Sequence, residues 1–446
     1  MSMWMIFTIS DFDHLELNLK KLFFRWLSCF SFAALVALAG CAKNEGIKVK
    51  ISSWGDLQEN AILSDLITQF QTLHPDIKVE LQRIPYTEYT TKLITQMAGG
   101  QAPDVICAEV GNYSDFYLRD ALEPLNDYVE ADKVDMSAYY PKVVDRFTVD
   151  GKLYVIARDT APICVIYYNK DVFDAAGVPY PKDSWTWEEF VATAKKVQAA
   201  DATGRVTRWG FVDDWVMSEA WIYDFGGSYV DDIKHPTRWT FADDPRTLEG
   251  VQFRSDLINK YKVMLPPSSV SAMGGLGNAD LFVNGNAAMF LSGIWKTPEF
   301  RHIQKFKWDV VMLPKGPNGH RAFSTGGSGY GILKSSKYKK EAWELVKFIS
   351  GEEGAKKLAS TGFAQPALMK VANSPDFLDG QDPKNKKMLL EAVKYVEYGP
   401  LCKNWTETLS GIIGPEMEKV WSATETAEQA MAHLKPRLDA NPPQTK

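Results

Sequence analysis

The sequence predicts an α/β protein whose ligand sits at the carboxyl ends of its strands. Three observations carry this. Residues 47–109 read as strand, helix, strand, helix, strand, which implies a parallel sheet with right-handed crossovers. Further strands and helices alternate from Cys164 to Leu313. Between them, Phe282 to Trp295 ends a helix-like segment at Asn284-Gly285, passes a short buried strand at Ala287–Leu291, breaks at Ser292-Gly293 and delivers Trp295. Open α/β sheets bind ligands at that end of a strand. The plain alternative for Trp295 is a core tryptophan.

The first strand is Ile47–Ser52, where Val and Ile alternate with Lys, and it leads into Trp54-Gly55-Asp56. Leu63, Leu66, Ile67, Phe70 and Leu73 share one face of a helix over 61–73, stopped by His74-Pro75-Asp76. Ile77–Leu81 alternates with period two, and Tyr86–Met97 is a helix closed by Gly99-Gly100. Val105–Ala108 is a third strand ending at Glu109. Cys164–Tyr168 is a buried strand closed by Asn169-Lys170-Asp171. Thr186 and Glu189 are spaced as a capping box at the start of the next helix. Trp209–Val212 and Trp308–Leu313 are strands, whereas 215–223, 245–261, 339–349 and 427–438 are helical. Ser324–Ile332 is the most glycine-rich segment.

Length and composition bound the function. The 446 residues suffice for two or three domains with a large core. Net charge is −6, and Lys and Arg do not gather in blocks, which argues against a nucleic-acid partner. The six histidines are scattered without a His-Glu-x-x-His pattern, and neither a phosphate loop nor a dinucleotide fingerprint occurs. Gly327-Ser328-Gly329 lacks the outer glycine spacing of a nucleophile elbow. No cysteine spacing suggests zinc, and no cofactor is implied. Fourteen Trp and eighteen Tyr provide flat faces that suit sugar rings, although aromatics also fill cores.

The amino-terminus resembles a bacterial lipoprotein signal. Lys20, Lys21 and Arg25 form a positive region, and Trp26–Ala39 is apolar but too short to span a bilayer. It ends in Leu38-Ala39-Gly40-Cys41, a lipobox pattern. The resemblance implies removal of residues 1–40, a diacylated Cys41 and a tether over 41–46, which holds the protein outside the cytoplasmic membrane. Asp11, Asp13 and Glu16 are unusual ahead of such a signal and point to a translation start further along. Cys107, Cys164 and Cys402 are expected to be mostly buried thiols, with at most one disulfide.

Five motifs, in order, resemble the extracellular solute-binding protein family 1 of ABC importers, the group that includes maltose-binding proteins. They are Ala102-Pro103-Asp104-Val105; Tyr168-Asn169-Lys170-Asp171-Val172-Phe173 with Ala176-Gly177; Thr186-Trp187-Glu188-Glu189; Asn284–Met289 with Gly293-Ile294-Trp295; and Gly326–Ile332 ahead of the Ala342–Ile349 helix. The resemblance implies the type II periplasmic-binding-protein fold: two α/β lobes, a multi-segment hinge and a ligand cleft between the lobes. It places the first lobe at about 46–158 plus 329–352 and the second at about 159–328 plus 353–446. It also implies a carbohydrate ligand, permease subunits as partners, and a monomer.

Carried over residue by residue, the resemblance nominates ligand contacts. Trp54 follows the first strand where the family often has an aromatic, with plain packing as the alternative. Glu109 follows the third strand where a polar residue is common, and Asn112 and Tyr113 share its loop. Asp159 falls in the segment that crosses the hinge, with Ala157 where Pro is usual, and Arg158 is a ready ion partner for it. Trp215 and Trp221 flank the helix before Gly226-Gly227, one of them as core. Trp295 matches Gly-x-Trp, Gly327 and Ser328 bring the backbone near the cleft, and Trp405 matches a late aromatic. Two other classes stay open: a binding protein for a glycerophosphodiester or polyamine, and a secreted glycosidase using Glu109 with Asp159.

Overall fold

Two five-stranded mixed sheets organise the chain, each covered by helices. The structure is a computed structural model that describes residues 46–445, except 56, 110, 215–217, 267–268, 270–276 and 326. Cys41, the signal segment and Trp215 lie outside the described residues. In chain order the first elements are β1 (Ile47–Ser53), α1 (Leu57–Leu73), β2 (Ile77–Arg83), α2 (Tyr86–Ala98), β3 (Val105–Glu109), β4 (Ile156–Ala157) and β5 (Val165–Asn169). Then come α3 (Trp187–Val197), β6 (Ala199–Ala200), β7 (Val206–Asp213), α4 (Ser218–Asp224), α5 (Pro245–Asn259), α6 (Asn278–Val283) and β8 (Ala287–Ser292). The main elements close with β9 (Trp308–Met312), β10 (Ser328–Ile332), α7 (Lys339–Ser350), α8 (Glu352–Thr361), α9 (Gly414–Trp421) and α10 (Ala427–Asp439).

The first sheet has the order β2-β1-β3-β10-β4. β1 and β3 run parallel, as expected from the strand–helix alternation, with Ile51 opposite Val105. β10 lies antiparallel to β3, with Ser328 opposite Glu109 and Ile332 opposite Val105. The sheet is therefore mixed: β10 lies antiparallel between β3 and β4, a pairing that needs no helical crossover. α1 buries Ile62, Leu63, Leu66, Ile67 and Phe70, the stripe set by their three- and four-residue spacing.

The second sheet has the order β9-β5-β8-β7-β6. β8 is central, with every residue of its Ala-Ala-Met-Phe-Leu-Ser run buried, as a strand covered on both faces requires. It pairs parallel with β7 (Met289 opposite Phe211) and antiparallel with β5 (Met289 opposite Tyr168). Asn284 caps α6, and Gly285 turns the chain at φ +78°, in the left-handed region that glycine enters cheaply. The capping box is present at α3: Thr186 Oγ1 accepts the Glu189 N–H, and Glu189 returns a carboxylate oxygen to the Thr186 N–H. Cys107, Cys164 and Cys402 are buried free thiols. Among the described residues no helix is long and apolar enough to cross a membrane.

Three segments cross together between the sheets. Asp159 bridges Pro366, and Pro162 bridges Thr325. The Thr160 N–H donates to the Gln365 carbonyl (3.1 Å), and the Ala367 N–H donates to the Arg158 carbonyl (3.0 Å). The helix that begins at Glu352 stays beside the helices of the first sheet. α8 packs on α1 and α7, with Lys357 paired to Asp65 of α1, and Tyr139 bridges Leu368. The amphipathic stripe of α8 (Ala355, Leu358, Ala359) finds its apolar cover on the first lobe. The later helices α9 and α10 pack on α5 of the second.

A buried carboxyl ties α3 to α4. Asp224 accepts the Trp187 Nε1–H at 2.7 Å and the Ala322 N–H at 3.4 Å, and is fully buried. Burial pushes it up to about 8 against these donors. The folded protein thus holds a proton that the unfolded carboxyl, near 3.9, releases. Its contribution to stability is present at low pH and is lost as pH rises toward 8. We expect the stability difference between wild type and Asp224→Asn to move in favour of the variant from about pH 4 to 8. Denaturant midpoints of both proteins across that range measure it.

Candidate functional site

The strand ends place the nominated residues on two edges. On the first lobe, Ile84 N–H donates to the Ser53 carbonyl (3.0 Å), so the ends of β1 and β2 lie side by side, with β3 parallel to β1. Trp54, Tyr86 and Glu109 follow these three strand ends. Trp54 is only 8% exposed, its ring 4.8 Å from Tyr89 and 5.8 Å from Tyr86, both edge-on. Tyr89 is fully buried, its hydroxyl 2.9 Å from the Ser52 and Cys107 carbonyls and 3.0 Å from the Cys107 N–H that it accepts. Tyr86 donates its hydroxyl to the partly buried Glu109 carboxylate. Asn112 is buried and accepts the Glu109 N–H (3.0 Å), so it shapes the turn rather than facing a ligand. Burial pushes Glu109 up to about 7, opposed by the Tyr86 hydrogen bond, while Glu59 and Asp159 push it the same way as burial.

Behind this edge lies a buried charge cluster. Arg158 pairs with Glu59 in the first turn of α1 and, through Nε, with Asp159 (2.9 Å) and Ser328 Oγ (2.8 Å). Its Nη1 donates to the Tyr330 hydroxyl (3.2 Å). Asp159 also accepts the Ser328 N–H (3.0 Å) and hydroxyl (2.9 Å). Asp159 and Ser328 are each 2% exposed and hold each other across the hinge. Gly327 is likewise a packing position: a Cβ there would meet the Thr160 carbonyl oxygen at 3.1 Å. The sequence did not single out Glu59, Tyr86 and Tyr330, because pairing across the chain leaves no local signal.

On the second lobe, β7 and β8 run parallel and end together. Asp214 N–H donates to the Leu291 carbonyl (2.8 Å), and Ser292 Oγ donates to the Asp214 carboxylate (2.9 Å). Burial pushes Asp214 up, while Ser292 and Lys296 lower it. Trp295 remains partly exposed in the turn Ile294–Lys296. Its ring folds over Gly293, where any Cβ would overlap it, and Tyr167 fixes that loop by donating to the Gly293 carbonyl (3.0 Å). Trp221 is core: it is 1% exposed, 4.9 Å from Trp187 and 6.2 Å from Phe211. Trp405 is 5% exposed, edge-on to Tyr229 at 4.9 Å and 6.2 Å from Trp239, so its ring is taken up by that aromatic cluster. Both rings pack among other aromatic side chains.

Two lobes joined by several crossing segments are the arrangement the five motifs imply. Residues 41–356 match the family described as bacterial extracellular solute-binding protein. The chain belongs to this family. This solute-binding protein is similar to an ABC substrate-binding protein of Listeria monocytogenes solved in complex with cycloalternan: 29% identical, TM-score 0.78, covering 89% of this chain and 98% of that one. The maltose-bound MalE3 of T. maritima is 26% identical, with a TM-score of 0.75 and coverage of 89% and 100%. The arabinooligosaccharide-binding protein of Halalkalibacterium halodurans is 24% identical over 72% of each chain. The solute-binding protein is thus a two-lobe, extracytoplasmic component of ABC transport.

Proposed function

We propose that this protein binds a carbohydrate, most simply an oligosaccharide, in the cleft between its lobes and presents it to the permease. A lipid on Cys41 tethers it as a monomer to the membrane. The observation that carries this reading is Trp295, an aromatic left partly exposed at the carboxyl end of β8 and held by a loop built around it. An aromatic face covers the C–H side of a sugar ring, while Asp214 at the end of β7 provides an acceptor for hydroxyls, where an unpaired buried hydroxyl costs about 1–3 kcal/mol. The relatives solved with cycloalternan and maltose support the same class.

The alternatives are less well served. A phosphodiester needs a free guanidinium or helix end. Arg158, the guanidinium beside the first-lobe strand ends, already faces Glu59 and Asp159. A glycosidase would need Asp159 as nucleophile or base, and that carboxylate is held by Arg158 and Ser328. Calorimetric titration with maltose, maltotriose, arabinotriose, glycerophosphocholine and spermidine tests the reading. A carbohydrate should bind, and Trp295→Ala should weaken it by roughly 2 kcal/mol, about thirtyfold. Binding of glycerophosphocholine or spermidine in place of any sugar would retire the carbohydrate class.

A further inference from the structure

We infer that Tyr86 is the first-lobe surface on which the solute stacks, with Glu109 acting as the residue that positions it. This deepens the carbohydrate reading and rests on it.

Exposure separates the aromatic side chains of the first lobe. Trp54, the aromatic that strand position nominates, is 8% exposed and hemmed in by Tyr86 and Tyr89. Tyr86 is 53% exposed. Tyr180 and Tyr338 are also exposed among the described residues. Tyr180 packs on Tyr168 at the end of β5, and β5 runs antiparallel to β8, so it stands on the edge away from Trp295. Tyr338 precedes α7 after β10, which runs antiparallel to β3, and so stands away from Glu109. Tyr86 alone of the three stands at the carboxyl edge of the first sheet.

The second observation is how firmly Tyr86 is held. An exposed tyrosine normally samples several rotamers, and ordering one on binding weakens affinity. Here the hydroxyl is donated to the Glu109 carboxylate, and the ring meets Trp54 edge-on at 74°. Trp54 in turn meets Tyr89 at 81°, and Tyr89 is bonded to the backbone of both β1 and β3. Glu109 is set by Asn112, which accepts its N–H, and Gly111 leaves room for the carboxylate: a Cβ there would stand 3.2 Å from Oε1. Core, Tyr89, Trp54 and Glu109 form one continuous support for the half-exposed Tyr86 ring. Such a ring offers apolar area at little ordering cost, which is what a pyranose face requires.

Calorimetric titration of the wild-type protein and four variants, with the tightest-binding sugar among maltose, maltotriose and arabinotriose, tests this. Tyr86→Ala should weaken binding at least tenfold, with the melting temperature of the free protein lowered only slightly, because half of the residue is exposed. Tyr86→Phe keeps the ring and should lose only a few-fold. Glu109→Gln should weaken binding in the wild type but have no further effect when added to Tyr86→Phe. Wild-type affinity in Tyr86→Ala would overturn the inference. An undiminished effect of Glu109→Gln on top of Tyr86→Phe would overturn the positioning role and make Glu109 a direct contact. If the wild type binds glycerophosphocholine or spermidine and no sugar, the carbohydrate reading fails, and the same variants on that solute decide the role of Tyr86. Binding of none of the five contradicts both.

Discussion

Arg158→Ala is expected to destabilise the folded protein by about 3–5 kcal/mol, because it removes one partner of a buried charge network and leaves the other charges unpaired. Arg158 and its carboxylate partners Glu59 and Asp159 have side chains less than a tenth exposed. The guanidinium also bonds Ser328 and Tyr330 of β10, so its loss releases four groups on three elements. Arg158→Lys should recover little, since one ammonium cannot match the planar fork. A variant neutral throughout, Arg158→Met with Glu59→Gln and Asp159→Asn, should recover most of the loss. Urea midpoints of the four proteins check this. A loss below about 1 kcal/mol in Arg158→Ala would mean that water reaches the cluster and that it does not tie the hinge.

Gly329→Ala should cost about 3 kcal/mol, the upper part of the range for overpacking. β10 lies between β3 and β4, and a Cβ at Gly329 would run into the Ile156 carbonyl and the Ala157 Cα. Both obstacles are backbone, so relief means parting β10 from β4 beside the hinge. Gly285→Ala is the contrast. Nothing lies near a Cβ there, and only the positive φ opposes it, at about 1–2 kcal/mol. Denaturant unfolding should rank the two in that order. Equal losses would show that strand separation is not what the first substitution forces.

Features written locally were legible in the sequence. The Thr186–Glu189 box, the glycine turn at 285 and the apolar run Ala287–Leu291 of β8 depend on neighbours a few residues apart, and periodicity and capping chemistry see that range. Strand direction was not legible: the pattern of β10 is the same whether it runs parallel or antiparallel to β3. α1 begins at Leu57 rather than near 61 because its first turn, with Leu57 91% exposed, carries no apolar stripe to announce it. The pairing of Arg158 with Asp159 could be read from adjacency, whereas Glu59 stands 99 residues away. Trp221, Trp405 and Trp295 look alike in a composition, and only packing separates the two buried rings from the open one. Tyr86 read as the first residue of a helix, and its exposure and hydroxyl partner belong to the tertiary fold.

The central claim is that a sugar lies between the lobes against Trp295. A crystal structure of the protein from Ala42 onward, grown with the tightest-binding solute from the titration panel, tests it most directly. The account predicts a carbohydrate with one ring against Trp295 and a hydroxyl within hydrogen-bond distance of the Asp214 carboxylate. The largest contradiction would be a solute seated elsewhere, for instance in the cavity of about 640 Å³ lined by Arg246, His320 and Glu397, with Trp295 untouched.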